Sequence, residues 1–209
     1  LYDFKCDYEK SLEYARLSVD MDKRLYGKYN INTAHSLHNI AGTYHAMNRI
    51  DDAESAYKEA IDIKSKIIGA DHYETCISIA GLGNVYNSKG QYDKALECHN
   101  KYYESFKLIH GCQEPYIADI LSGIGTDYSN MEDYENALAK HLEAIAVLES
   151  CNKAILSPYY NAVGNDLYCM DRYTEAIDIY TKALAAPDII SNPFGKSILC
   201  NCIARCHAC

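Results

Sequence analysis

The sequence predicts an all-α solenoid of stacked antiparallel helix pairs, and three observations carry that expectation. Tyr2, Tyr44, Tyr86 and Tyr128 stand 42 residues apart. Gly27, Gly69 and Gly111 keep the same step, as do Ser11, Ala53, Ala95 and Ala137, with Ala176 following 39 residues later. Within each period, two stretches carry apolar residues at helical spacing. A fixed period of this size marks stacked supersecondary units rather than one globular core.

The pairs follow in order. Tyr2 is the counterpart of Tyr44, so the chain opens near the end of a first helix, and a second helix follows over 7–26. Leu37, Ile40, Ala41 and Tyr44 fall at i, i+3, i+4 and i+7, one stripe of a helix. After the turn at Asn48 and Arg49, a second stripe runs through Ile50, Ala53, Tyr57, Ala60, Ile61, Lys64 and Ile67. Helices joined that tightly are antiparallel neighbours. The pattern recurs as Ile79, Leu82, Gly83 and Tyr86, then Tyr92, Ala95, His99 and Tyr102. It recurs again as Leu121, Ile124, Gly125 and Tyr128, then Tyr134, Ala137, His141 and Ala144. A fourth version uses Tyr160, Val163, Gly164 and Leu167, then Tyr173, Ala176, Tyr180 and Ala183. The expected second helices are 7–26, 50–68, 92–110, 134–150 and 173–186. The repeat units are 1–30, 31–72, 73–114, 115–156 and 157–194, with a partial unit at 195–209.

Ala41, Gly83, Gly125 and Gly164 share one register on the first helices. Glycine inside a helix costs about 1 kcal/mol relative to alanine. Three at one register imply a close approach there.

Composition narrows the function classes. The net charge of −9 argues against nucleic acid and anionic membrane as main partners, since both need clustered cations. No apolar run approaches the 18 or so residues of a membrane-spanning helix, and no signal peptide is visible. The chain opens at Leu1 rather than Met, so a targeting segment upstream stays open. Ten cysteines are present. Most stand at helix-internal positions where a small apolar residue would serve, so they read as reduced thiols in a cytoplasmic protein.

The run L-x-x-L/I-G/A-x-x-Y, a short turn, then Y-x-x-A-x-x-x-Y/H-x-x-A resembles the tetratricopeptide repeat. The 42-residue unit, Gly69-Ala70-Asp71-His72 and the Thr33 to Ala41 run are similar to the longer repeats of kinesin light chain and nephrocystin-type proteins. The resemblance covers essentially the whole chain. It implies a right-handed superhelix whose first helices line a concave groove. His99 and His141 depart from the usual aromatic of the second helix, and the fifth unit is short. Neither end reads as a polar cap, which suggests a piece of a longer array.

Several patterns invite a chemical reading. In the tail, Cys202, Cys206 and Cys209 lie at i, i+4 and i+7, the core stripe used earlier by Ile40, Tyr44 and Met47. That spacing favours small core residues over a zinc site. His99 and His141 sit in the packing register and read as core histidines. No nucleophile motif accompanies His35, His38 or His45. Asp51-Asp52 and Glu132-Asp133 fall where second helices start and favour their positive ends. Gly81-Leu82-Gly83-Asn84 lies inside a helix and is no phosphate loop. No catalytic residue, cofactor or metal is expected.

The remaining candidate is the groove. Residues expected on its face are His38, His45, Asn84, Asn87, Ser122, Thr126, Ser129, Asn130, Asn161, Asn165 and Tyr168. They are mostly short amides and hydroxyls able to meet a peptide backbone. Resemblance to members that grip acidic peptides would imply cations there. The nearest are Arg49, Lys89 and Arg172, at or beyond the helix ends, so a neutral or basic ligand suits the balance. The leading expectation is a non-enzymatic scaffold holding a peptide or partner helix. A second is a regulatory or sensor array of a larger signalling enzyme or NTPase, and a third is a thiol-rich metal-binding module.

Overall fold

The computed structural model describes residues 4–111, 114–151, 155–189 and 192–208, with side chains described from residue 9 onward except at Ser11. Tyr2, Cys112 and Cys209 lie outside the described residues, as do the side chains of Cys6 and Ser11. Ten α-helices and no strand occur among the described residues. They are α1 Phe4–Tyr26, α2 Ile31–Ala46, α3 Ile50–Ile67, α4 Tyr73–Ser88, α5 Tyr92–His110, α6 Tyr116–Asn130, α7 Tyr134–Ser150, α8 Ser157–Cys169, α9 Tyr173–Ala185 and α10 Pro193–Ala208. A single 3-10 turn, Pro187–Ile189, lies between the last two. The second helices α3, α5, α7 and α9 fall within a residue of the expected ranges.

The chain forms two compact units, Leu1–Ser105 and Phe106–Cys209, divided within α5. In unit 1, α1 packs on α2, α2 on α3 and α3 on α4. In unit 2, α6 to α10 pack each on the next in the same way. Within each unit one first helix also touches the next, α2 with α4 and α6 with α8.

Local chemistry sets the helix ends. Asn30 caps α2 by accepting the Asn32 N–H at 2.9 Å, and Asp133 caps α7 by accepting that of Asn136 at 3.3 Å. Asp51 and Asp52 lie in the first turn of α3, as the helix dipole favours. The turn inside each pair needs one left-handed residue. Asn48, Gly90, Glu132 and Asp171 fill it in successive repeats with φ of 59°, 71°, 62° and 60°. Only glycine is free of strain there, and the bulkier Glu132 is the uncommon choice.

The small-residue register does what its conservation of spacing implied. Ala53, Ala95, Ala137 and Ala176 are fully buried. A Cβ on Gly83 would stand 2.7 Å from His99 Nε2, and one on Gly125 would stand 2.5 Å from His141 Nε2. One on Gly164 would collide with the Tyr180 ring. In each case the ring of the second helix lies on the bare backbone of the first. Tyr57 differs, because its partner position is Ala41. Its ring instead lies over Gly81 of the next first helix, where a Cβ would stand 2.5 Å away.

Candidate binding face

In unit 1 the expected site residues come from α2 and α4, and hydrogen bonds between these helices use several of them. His38 is half-buried, its Nδ1 lies 3.1 Å from Ser78 Oγ, and its ring stands edge-on to Tyr57 at 5.4 Å. Burial pushes its imidazole down to about 4, with Lys64 and His35 adding to the effect. His45 Nε2 lies 2.9 Å from Ser88 Oγ. His35, one turn before His38, pairs with Glu74 at 2.7 Å. Asn84 is exposed and Asn87 half-buried.

Beneath this seam lies Lys64, which the apolar stripe of α3 includes. It is 3% exposed, and its Nζ donates to the Glu74 carbonyl at 3.0 Å. Burial lowers its affinity for the proton.

In unit 2 the site residues come from α6 and α8. Thr126 and Asn130 are exposed on α6. The Thr126 hydroxyl donates to the Ser122 carbonyl of its own helix at 2.9 Å. Ser129 turns inward and donates to Asp166 Oδ1 at 2.7 Å. On α8, Asn165 is exposed, with its Oδ1 accepting from the Tyr180 hydroxyl at 2.8 Å. Tyr168 is half-buried, edge-on to Tyr173 at 5.4 Å, with the Arg205 guanidinium 4.6 Å from its ring centroid. Asn161 is half-buried, and its Oδ1 is shut off from solvent with no hydrogen-bond partner among the described residues.

So the structure sorts the expected residues. Asn84, Thr126, Asn130 and Asn165 display side chains to solvent. His38, His45 and Ser129 are engaged in bonds between neighbouring first helices. Three functional-looking groups were missed from the sequence. Asp166 is 2% exposed and pairs with His141 Nδ1 at 2.6 Å, while His141 Nε2 lies 3.3 Å from the Ser122 carbonyl. Asp127 occupies the equivalent place one repeat earlier and is also fully buried. Both stand directly before the Tyr128 or Leu167 landmark, where α4 has the buried Val85, and a carboxylate in a core register is the signal that would find them. The third is Arg205, a cation beside the expected face that belongs to α10.

Ser129, Asp166 and His141 do not form a nucleophile relay. The carboxylate lies between the hydroxyl and the imidazole, whereas a relay needs the imidazole in the middle. Cys206 is buried in the apolar core of unit 2 and Cys202 packs against it half-buried, the core role expected of the tail. Among the described residues, no three His, Cys, Asp or Glu side chains come together as metal ligands. No described helix is long and apolar enough to cross a membrane.

The family model of the tetratricopeptide repeat matches residues 4–66, 53–108, 74–150 and 116–187, and so covers most of the chain. The chain is a tetratricopeptide-repeat protein. No curated protein sequence matches it. Solved structures share the fold of this tetratricopeptide-repeat protein at low identity. BtubC (BKLC) from P. vanneervenii is 17% identical with a TM-score of 0.78, over 96% of this chain and 83% of that one. A putative kinesin light chain from Podosopora anserina, with nearly identical TPR-like repeats, is 14% identical with a TM-score of 0.76, over 88% of this chain and 89% of that one. The apo form of RapI is 14% identical with a TM-score of 0.76, over 98% of this chain and 59% of that one. The repeat type supports a protein-interaction scaffold, and its fold is generally non-catalytic.

Proposed function

We propose that, within each unit, the solvent-facing side of the first helices, the side expected to be concave, holds a neutral or basic segment of a partner protein. The observation that carries this reading is the solvent display of Asn84 in unit 1 and of Thr126, Asn130 and Asn165 in unit 2. Exposed helix positions ordinarily carry Lys or Glu. Short amides and hydroxyls leave room for a chain to lie against the helices, and amides supply both donor and acceptor to its backbone. Asn165 accepts from Tyr180 through Oδ1, which fixes its amide plane with the N–H donors directed elsewhere. The net charge of −9 favours neutral or basic segments in the encounter. The reading also places the protein in the cytoplasm, where its seven described unbridged cysteines stay reduced.

Selection of peptides from a display library, followed by anisotropy titration of the enriched sequences, tests this. The enriched peptides are expected to be neutral or basic. Replacing Asn84 and Asn165 together with Ala should weaken them about tenfold, since each net hydrogen bond contributes about 0.5–1.5 kcal/mol. Binding that survives this change but is lost on altering Lys58 and Leu142 of the second helices would move the site to the other face.

A further inference from the structure

The seam between neighbouring first helices repeats in register. In unit 1, His38 of α2 meets Ser78 of α4 at 3.1 Å. One step on from Asn161, the repeat counterpart of His38, the counterpart of Ser78 is Ile198 of α10. Asparagine is smaller than histidine and isoleucine offers no hydrogen bond. Two consequences follow at one place. The Asn161 Oδ1 is left buried without a donor among the described residues. A cavity of about 150 Å³ opens between α8, the 3-10 turn and α10, with Pro158, Asn161, Ile189, Gly195, Ile198 and Leu199 in its lining. Gly195 keeps the wall thin, since a Cβ there would stand 2.6 Å from Ile189 Cδ1 and 2.8 Å from Asn192 Nδ2. The Asn192 Oδ1 is already used, accepting the Gly195 N–H at 2.9 Å.

We propose that this cavity is a side-chain pocket for a phenol-type ring, a tyrosine of the bound segment. The pocket has apolar walls from Pro158, Ile189, Ile198 and Leu199, and a space of about 150 Å³ is the size that takes a six-membered aromatic ring. One orphan acceptor requires one donor, which a phenol hydroxyl supplies and a phenylalanine ring does not. A buried acceptor left unmade is costly, so the donor is the selective element. The terminal torsion of an asparagine is broad, which lets the Asn161 amide turn to meet the hydroxyl. The ring replaces what the His38–Ser78 pair supplies within unit 1. This pocket rests on the partner-segment reading for its biological occupant, yet the pocket itself is tested without any peptide.

The probe is phenol, titrated into the intact chain while the methyl signals of Ile189, Ile198 and Leu199 and the side-chain amide of Asn161 are followed by NMR, with toluene as the control of like size. Phenol should shift these signals saturably and bind about threefold to tenfold more tightly than toluene, the value of one net hydrogen bond. Asn161→Leu should remove or reverse that preference. Ile198→Ser, which restores the residue type of α4 and offers Asn161 a donor within the protein, should weaken phenol while leaving the fold intact. The proposal is overturned if phenol causes no saturable shift, if toluene binds equally well, or if only an ordered water is found beside Asn161 that phenol does not displace. Phenol binding without any peptide binding would keep the pocket and sink the groove. Peptide binding with no response to phenol would do the reverse.

Discussion

The seam between consecutive helix pairs is apolar in unit 1 and hydrogen-bonded in unit 2. In unit 1 the ring position of the second helix is Tyr57, and Val85 stands in the first helix that follows, both in one apolar core. In unit 2 the same register holds His141 and Asp166, 2.6 Å apart and each almost fully buried. The polar version adds a third member, Ser129, so three helices meet at one carboxylate. An apolar contact tolerates small changes of shape. A buried hydrogen-bonded network demands its geometry, because a polar group left unmade there is costly. The difference teaches that the register prescribes a filled position, not its chemistry.

The largest expected effect comes from breaking the polar seam. Asp166→Val alone takes the acceptor away from the buried His141 Nδ1 and from the Ser129 hydroxyl and should cost about 2–4 kcal/mol, read by chemical denaturation. The double change His141→Tyr with Asp166→Val imports the unit 1 solution. It should recover most of that loss, because Tyr180 already lies on a glycine at the same register. A double variant as unstable as the single one would show that the two seams are not interchangeable.

The second test separates the units by pH. His38 has its proton affinity lowered, to about 4 against 6.5 in the unfolded chain. The unfolded state therefore binds the proton first as pH falls. Stability should decline between pH 6.5 and 4, by up to about 3 kcal/mol from this residue. His38→Gln, compared with the parent across that window, should flatten the decline. An unchanged slope would mean that the half-buried imidazole is solvated enough to titrate normally.

A smaller effect should follow from enlarging the close contacts. Ala137→Leu in unit 2 and Ala53→Leu in unit 1 each overpack a fully buried site and should cost about 1–3 kcal/mol in thermal melts. A melt unchanged by either would contradict the close approach at that register. The smallest effect concerns the intra-pair turns. Glu132→Gly should relieve left-handed strain and raise stability by about 0.5–1 kcal/mol, whereas Gly90→Ala should lower it by a similar amount.

Much of the exposed face was legible in the sequence and part of it was not. Asn84, Thr126, Asn130 and Asn165 were placed on the exposed face by periodicity alone, since a helix shows every residue at a fixed angle to its apolar stripe. The same reasoning put His38, His45 and Ser129 there without revealing that each is taken up by a neighbouring helix. Periodicity locates a side chain on its own helix and says nothing of what faces it across a seam. Asp166 was passed over for that reason, as its partner His141 lies on another helix 25 residues away in sequence. Arg205 was passed over because its ring partner, Tyr168, belongs to the preceding first helix.

By itself the sequence determined the all-α repeat, the bounds of the second helices, the burial of Ala53, Ala95, Ala137 and Ala176, and the membership of the family. These follow from local spacing, which fixes the apolar stripe and the turn positions before any two helices meet. Only the tertiary structure decided which polar groups are spent inside the protein. It gave Lys64 a carbonyl and Asp166 an imidazole, and left the Asn161 Oδ1 without a partner among the described residues. Those outcomes depend on the residues that adjacent helices bring within 3 Å, and chain spacing carries no such information.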